Sequence, residues 1–307
     1  MIRTLRIQLT EQCDLNCFYC CHEGTANKFS IIKNRNLISF IRACYDVLGI
    51  RRVKFTGGEP LEYDENILDI INAFTEDKSR RDISFSIVTN ATHYSRLKSL
   101  ADNAPEMEVT ISLPVPPSVE YKNIYHKLTG SVRVDEDFNN VIESVNYLKQ
   151  QNRSFKINYV LCKNYNVFDK LISEVIYFSE NSCVQLRFLE LAINATTNNK
   201  KRVMSAAFGQ YDFERIIGRI DPKSVLPENK KDSRAFCTYE VNDTIVKYIK
   251  FFCSDSCNSC PEGKTSLWLT STGTIKQCSY RSSAVPVANW QVTEIKKLLE
   301  RKFYSKS

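Results

Sequence analysis

A chain of 307 residues that is 43% hydrophobic and 25% charged can bury a full-sized core, which excludes a disordered or fibrous protein. The formal net charge of +7 is spread along the chain, with basic runs no longer than Lys200-Lys201-Arg202 and Lys230-Lys231. A mildly basic solvated surface is expected from this, with no nucleic-acid partner. Twelve cysteines without a recognisable export signal argue against a disulfide scaffold and for metal or redox chemistry. No segment reaches the ~18 apolar residues of a membrane span, so a soluble cytoplasmic protein with no membrane contact is expected.

Apolar-rich runs at residues 5–10, 53–56, 84–89, 109–113, 156–161 and 184–189 predict strands. Helices are predicted between them, where apolar residues recur three or four apart. Leu37, Phe40, Ile41, Cys44, Val47 and Leu48 form one such face; Phe138, Val141, Ile142, Val145 and Leu148 form another. Phe168, Leu171, Ile172, Val175 and Phe178 form a third. Six strand–helix units in series predict parallel pairing with right-handed crossovers, hence an α/β fold built as a partial (β/α)6 barrel over residues 1–193. Residues 194–204, rich in Asn, Thr and Lys, are read as a polar linker. Residues 205–307 are read as a small α+β C-terminal domain. It has a helix near 213–220, β-like segments at 244–252 and 266–276 around a cysteine cluster, and a terminal helix near 293–302.

The strands carry a second signal. One parity is apolar: Leu5, Ile7 and Leu9, then Val53 and Phe55, then Ile157, Tyr159 and Leu161. Such a face suits cover by helices. The other parity is polar: Arg6, Gln8 and Thr10; Arg52, Lys54 and Thr56; Thr110 and Ser112; Lys156 and Asn158; Gln185 and Arg187. Buried cations without partners are costly, so their convergence from several strands predicts a solvated lumen that holds an anion, phosphate or carboxylate. The alternative is that Arg6, Arg52 and Lys54 pair with acidic neighbours or lie at strand ends in water.

Cys13, Cys17 and Cys20 follow the spacing Cys-x3-Cys-x2-Cys directly after the first predicted strand. Three thiolates on one loop can hold three irons of a [4Fe-4S] cluster and leave the fourth open for a ligand. Zinc is the rival, although zinc loops usually pair Cys-x2-Cys spacings in closed four-ligand sites. Cys21, adjacent to Cys20, is expected to point away. The second strand ends in Gly57-Gly58-Glu59-Pro60, where two glycines allow close backbone approach and Glu59 offers a carboxylate to a ligand ammonium. A second set, Cys257, Cys260 and Cys278, with Cys253 as a candidate fourth ligand, suits an auxiliary cluster, and zinc is again the alternative. His22 lies beside the first cysteine loop, whereas His93 and His126 are expected on loops or helix surfaces.

Together the cysteine loop and the Gly-Gly-Glu-Pro turn resemble the radical S-adenosylmethionine (SAM) superfamily. Within it, Leu5-Arg-Ile-Gln-Leu-Thr, Phe55-Thr-Gly-Gly-Glu-Pro-Leu, Val88-Thr-Asn, Ile111-Ser-Leu, Lys127-Leu-Thr-Gly, Lys156-Ile-Asn, Arg187-Phe-Leu-Glu-Leu and the C-terminal cysteines are similar to the molybdenum cofactor biosynthesis protein A family, the GTP 3′,8-cyclases. The resemblance implies a radical SAM enzyme with SAM and two [4Fe-4S] clusters, reduced by a donor such as flavodoxin or ferredoxin. It implies that Tyr19 contacts the adenosine part of SAM, Gly57, Gly58 and Glu59 its amino group, and Thr89, Asn90 and Ser112 its ribose and carboxylate. It also implies that Arg6, Arg52 or Lys54, Lys156 and Arg187 surround a triphosphate. Two features depart from the family. Its Arg-x-Arg substrate motif would fall here at Ser266 and Trp268, and where the family ends in a Gly-Gly tail the sequence reads Tyr304-Ser-Lys-Ser307. Trp268 offers a stacking surface for the substrate or belongs to the core. The expected substrate is therefore a small, nucleotide-like anion in a site divergent from the cyclases. The alternative is a ribosomal peptide, as modified by auxiliary-cluster maturases.

Overall fold

The computed structural model describes residues 2–20, 32–180, 183–192, 200–233, 235–251, 265–278 and 284–304. All six expected strands form: β1 (Thr4–Gln8), β2 (Arg52–Thr56), β3 (Ser84–Thr89), β4 (Glu108–Ser112), β5 (Phe155–Val160) and β6 (Val184–Leu189). They pair in chain order, all parallel. Parallel neighbours need long crossovers, and helices supply them. These are α1 (Asn34–Leu48), α2 (Asp64–Thr75), α3 (Tyr94–Asn103), α4 (Lys122–Thr129), α5 (Val134–Gln150) and α6 (Asp169–Ser179).

The predicted faces are the buried ones. Leu37, Phe40, Ile41 and Cys44 of α1 are buried, as are Phe138, Val141, Val145 and Leu148 of α5. Each large apolar side chain so removed from water contributes roughly 1.5–3 kcal/mol. Phe168 is the exception: it precedes α6 and is 49% exposed. Apolar strand residues Leu5, Ile7, Val53, Phe55, Ile157 and Tyr159 are fully buried against the helices.

Later segments join the same sheet at both ends. After α7 (Lys200–Ser205) and α8 (Gln210–Ile220), β7 (Lys230–Asp232), β8 (Phe236–Val241) and β9 (Thr244–Ile249) form an antiparallel unit, and β9 docks parallel to β6. At the other end β10 (Ser266–Leu269) pairs parallel to β1 and continues into β11 (Thr274–Lys276) and β12 (Val285–Pro286). The strand order is β12-β11-β10-β1-β2-β3-β4-β5-β6-β9-β8-β7. The stretch 266–276, expected as one β-like segment, is thus a hairpin. Gly273, at φ +76°, makes the turn, and its N–H donates to Thr270 O at 2.9 Å. The terminal helix α9 (Val292–Leu299) packs on α1, and Lys296 pairs with Asp46 at 2.8 Å. Within the expected linker, residues 194–199 lie outside the described residues and the remainder begins α7. Among the described residues no helix is long and apolar enough to cross a membrane.

Candidate active site

The cysteine loop after β1 is held by backbone on both sides. On one side Gly58 N–H donates to Thr10 O at 2.8 Å and Glu59 N–H to Gln12 O at 2.6 Å. This approach requires glycine: a Cβ on Gly58 would stand 1.8 Å from Gln12 O, and one on Gly57 would stand 2.6 Å from Thr10 O. On the other side Asn16 N–H donates to Thr129 O at 2.8 Å and Phe18 N–H to Leu128 O at 3.3 Å. Gly130, the left-handed cap of α4, lets Asn16 come close, since a Cβ there would meet Asn16 O at 2.9 Å.

Side chains complete the clamp. Asp14, between the first two cysteines, accepts from Asn90 Nδ2 at 2.8 Å and from Thr92 Oγ1 at 2.5 Å. The His93 Nε2 atom lies 3.0 Å from Glu62 Oε1 and 3.8 Å from Asp14 Oδ2. Phe18 and Tyr165 pack in a tilted arrangement with centroids 5.1 Å apart, and the Arg202 guanidinium of α7 covers Phe18 at 4.2 Å. Arg202 also donates to Tyr165 Oη at 3.1 Å, so a residue expected in a linker instead braces the loop.

Glu59 is fully buried and its carboxylate is engaged by the protein. It accepts from Leu61 N–H at 3.0 Å, Thr89 Oγ1 at 2.6 Å and Asn90 N–H at 2.7 Å. Burial pushes its pKa up to about 8 against the pull of those hydrogen bonds. Glu59 and Thr89 therefore lock the turn after β2 to the end of β3. This arrangement leaves the backbone of 57–58 and the Asn90 amide beside the loop; Asn90 Nδ2 also lies 3.8 Å from Cys13 Sγ.

Cys13, Cys17 and Cys20 are free thiols, partly buried, on one loop, and Cys20 N–H donates to Cys17 O at 3.0 Å. Burial raises the pKa of Cys13 and Cys17, and each of those two thiols also feels another thiol of the set. A cationic metal cluster offsets that cost of ionisation. Among the described residues no three His, Cys, Asp or Glu side chains converge on a single-ion site. Three thiols on one loop suit the separate corners of an iron–sulfur cube, and in donor chemistry these residues fit it. Tyr19 packs beside Cys17, and Ser112 lies at the end of β4 in register with Asn158. Tyr125 of α4 had no sequence signal. It is 1% exposed, its hydroxyl has no hydrogen-bond partner among the described residues, and burial followed by the Cys17 thiol raises its pKa.

The opposite parity gathers as the alternation implied. Arg6, Lys54, Ser86 and Glu108 are register partners across β1 to β4, Thr110, Lys156 and Gln185 across β4 to β6, and Asn158, Arg187 and Lys247 across β5, β6 and β9. Lys156 pairs with Glu108. Burial pulls the pKa of Lys54 down to about 8, helped by Arg6 and Arg187. Burial also works against the Glu108 charge, but Lys156, Lys54 and Arg187 outweigh it and hold that carboxyl below its ordinary range. Arg187 on β6 feels Arg6 on β1, five strands away, which at ~4.8 Å per strand is about 24 Å on a flat sheet. The sheet must curl for the two to interact, as in an open barrel. Arg52 stays apart, exposed at the first position of β2. Thr110 Oγ1, Asn158 Oδ1 and Trp268 Nε1 are buried on this side without hydrogen-bond partners among the described residues.

Cys278 is partly buried just beyond β11. Cys253, Cys257 and Cys260, like Cys21 and His22, lie outside the described residues.

Comparison with known proteins matches residues 7–173 to the radical SAM superfamily. A GTP 3′,8-cyclase of Campylobacter jejuni is 25% identical over 290 residues, covering 93% of this chain and 83% of that protein. Among solved structures, Streptococcus suis SuiB bound to precursor peptide SuiA shares the fold with a TM-score of 0.59 at 20% identity; 91% of this chain aligns, spanning 60% of SuiB. Native anSMEcpe with bound AdoMet aligns with a TM-score of 0.64 at 19% identity, over 97% of this chain and 80% of that one. The matched family covers more than half of the chain, including the cysteine loop, both of its backbone tethers and strands β2 to β5, and on that ground the chain belongs to the radical SAM superfamily as a radical SAM enzyme that uses a [4Fe-4S] cluster and SAM.

Proposed function

We propose that this enzyme abstracts hydrogen from an anionic, nucleotide-like substrate held in the cation-lined lumen, in a reaction related to that named for the GTP 3′,8-cyclases. The observation that carries this reading is the set of inward-facing cations Arg6, Lys54, Lys156 and Arg187 on three rungs of the sheet, where burial depresses the Lys54 pKa and the other three cations add to the shift. Cys13, Cys17 and Cys20 would hold the cluster, with Tyr19, Gly57, Gly58, Asn90 and Ser112 around SAM and Glu59 and Thr89 bracing that wall. Cys257, Cys260 and Cys278, with Cys253, would hold a second cluster, and a flavodoxin or ferredoxin would supply electrons. When bound, the cluster and SAM supply a 5′-deoxyadenosyl radical. The chain's own residues orient the substrate and exclude water; the cations neutralise its charge and fix its position, and hydrogen-atom transfer needs no general base from them.

Lys156→Ala or Arg187→Ala should weaken GTP binding by about tenfold, as expected for losing one charge-assisted contact, while substrate-independent SAM cleavage persists. Equilibrium dialysis with labelled GTP checks this, and unchanged affinity in both variants would remove the anion lumen. A short peptide that stimulates SAM turnover where nucleotides do not would favour the maturase reading.

Lys54 adds a pH dependence. Its pKa falls from 10.5 to about 8 on folding, so the folded chain binds fewer protons between those values, and Lys54 makes stability rise from pH 8 to 10.5. A bound polyphosphate restores the proton. GTP affinity should therefore fall as pH rises from 7 to 9, and Lys54→Gln should flatten that slope. Equal slopes in the two proteins would place Lys54 outside the binding site.

A further inference from the structure

Trp268 occupies a position whose chemistry the apolar core does not explain. Its neighbours Leu267 and Leu269 are fully buried in the hydrophobic core, whereas Trp268 faces the opposite way and stands outside that cluster. Register pairs it with Arg6 of β1 on one side and Lys276 of β11 on the other, and Arg6 in turn pairs with Lys54. One rung of the sheet therefore reads Lys276, Trp268, Arg6, Lys54, three cations with an indole among them. Stacking is restricted at this ring, because the Arg6 guanidinium lies over it at 5.1 Å. The ring edge carries the donor. Trp268 is 7% exposed, yet its Nε1 has no acceptor among the described residues. A buried indole N–H ordinarily finds a partner, and an orphaned one costs the protein stability.

We infer that Trp268 is a specificity-determining residue that donates its indole N–H edge-on to a phosphate oxygen of the substrate. This rests on the anionic-substrate reading above. Flanking ammonium and guanidinium groups favour an anionic oxygen over a neutral carbonyl as the acceptor. Ser266 is 3% exposed and in register with Thr4.

The test uses anaerobically reconstituted protein and equilibrium dialysis with inorganic triphosphate and with GTP. Trp268→Phe keeps the ring and removes the donor, and should weaken both ligands by about tenfold or more. Unchanged triphosphate affinity overturns the inference, and so does a loss confined to GTP, because the contact would then not be to phosphate. A second measurement avoids the substitution. Trp290, which packs on Phe40, is the only other tryptophan, so in Trp290→Phe the emission belongs to Trp268 alone. Its spectrum should shift saturably with triphosphate, and an invariant spectrum overturns the assignment. If neither ligand binds the unaltered protein, the anionic-substrate reading falls as well. Binding that depends on Lys156 and Arg187 but not on Trp268 defeats this inference alone.

Discussion

Cys17→Ala should reduce SAM cleavage to the background of the reductant alone and remove about four irons per chain. Cys17 is the middle residue of the three-thiol loop, and that loop is fixed by backbone bonds at residues 10, 12, 16 and 18. Cys44→Ala is the matched control: it also removes a buried thiol, but from the apolar face of α1, and iron content should stay unchanged. Equal iron and turnover in Cys17→Ala and the unaltered protein would show that the loop does not carry the cluster. A single zinc in place of iron would restore the rival that its spacing left open.

Gly58→Ala is expected to damage the site almost as severely with no change in polar chemistry. The added methyl would lie 1.8 Å from Gln12 O and 3.0 Å from Cys13 N, and both are backbone atoms that cannot rotate away. Overpacking a well-filled region costs about 1–3 kcal/mol where side chains give way, and more where backbone must move. The loop should peel from the turn and lose the hydrogen bonds from Gly58 and Glu59. Reconstituted iron should fall, and SAM affinity should drop by at least tenfold. A Gly49→Ala control separates this from a general glycine effect, since Gly49 has a positive φ but open space around its Cβ position. If Gly58→Ala retained iron and SAM affinity, the close approach would not be needed for the site.

How much of this was legible in the sequence follows from where each constraint lies. The six parallel strands could be read because each keeps one parity apolar, and the same alternation placed Lys54, Lys156 and Arg187 on the inner side. It could not tell that Arg52 would fall at the exposed start of β2, because strand ends depend on pairing with β1 and β3. The hairpin at β10 and β11 was hidden by Thr270, Thr272 and Thr274, which favour strands and here bond to one another across the turn. Strand β8 was missed because Phe236 is exposed while Cys237 and Tyr239 are buried, the reverse of the parity its leading aromatic suggests.

At the site, the cysteine spacing and the paired glycines are local signals. The Asp14 clamp is not. Asn90 and Thr92 lie 76 and 78 residues from Asp14, and Tyr125 and Arg202 reach the loop from helices with no motif of their own. Glu59 was expected to face SAM; what the sequence did not show is that its carboxylate also accepts from Leu61, Thr89 and Asn90. The acidic residue was visible in the sequence, but its partners were set by the meeting of β2 and β3.

The central claim, hydrogen abstraction from a nucleotide held in the cationic lumen, is tested most directly by isotope transfer. Reduced, fully reconstituted enzyme is incubated with SAM and GTP deuterated on its ribose and base, and the 5′-deoxyadenosine formed is analysed by mass spectrometry. Deuterium in that product, lost in Lys156→Ala, is the predicted result. Abundant 5′-deoxyadenosine without deuterium from GTP or any other nucleoside triphosphate would contradict it.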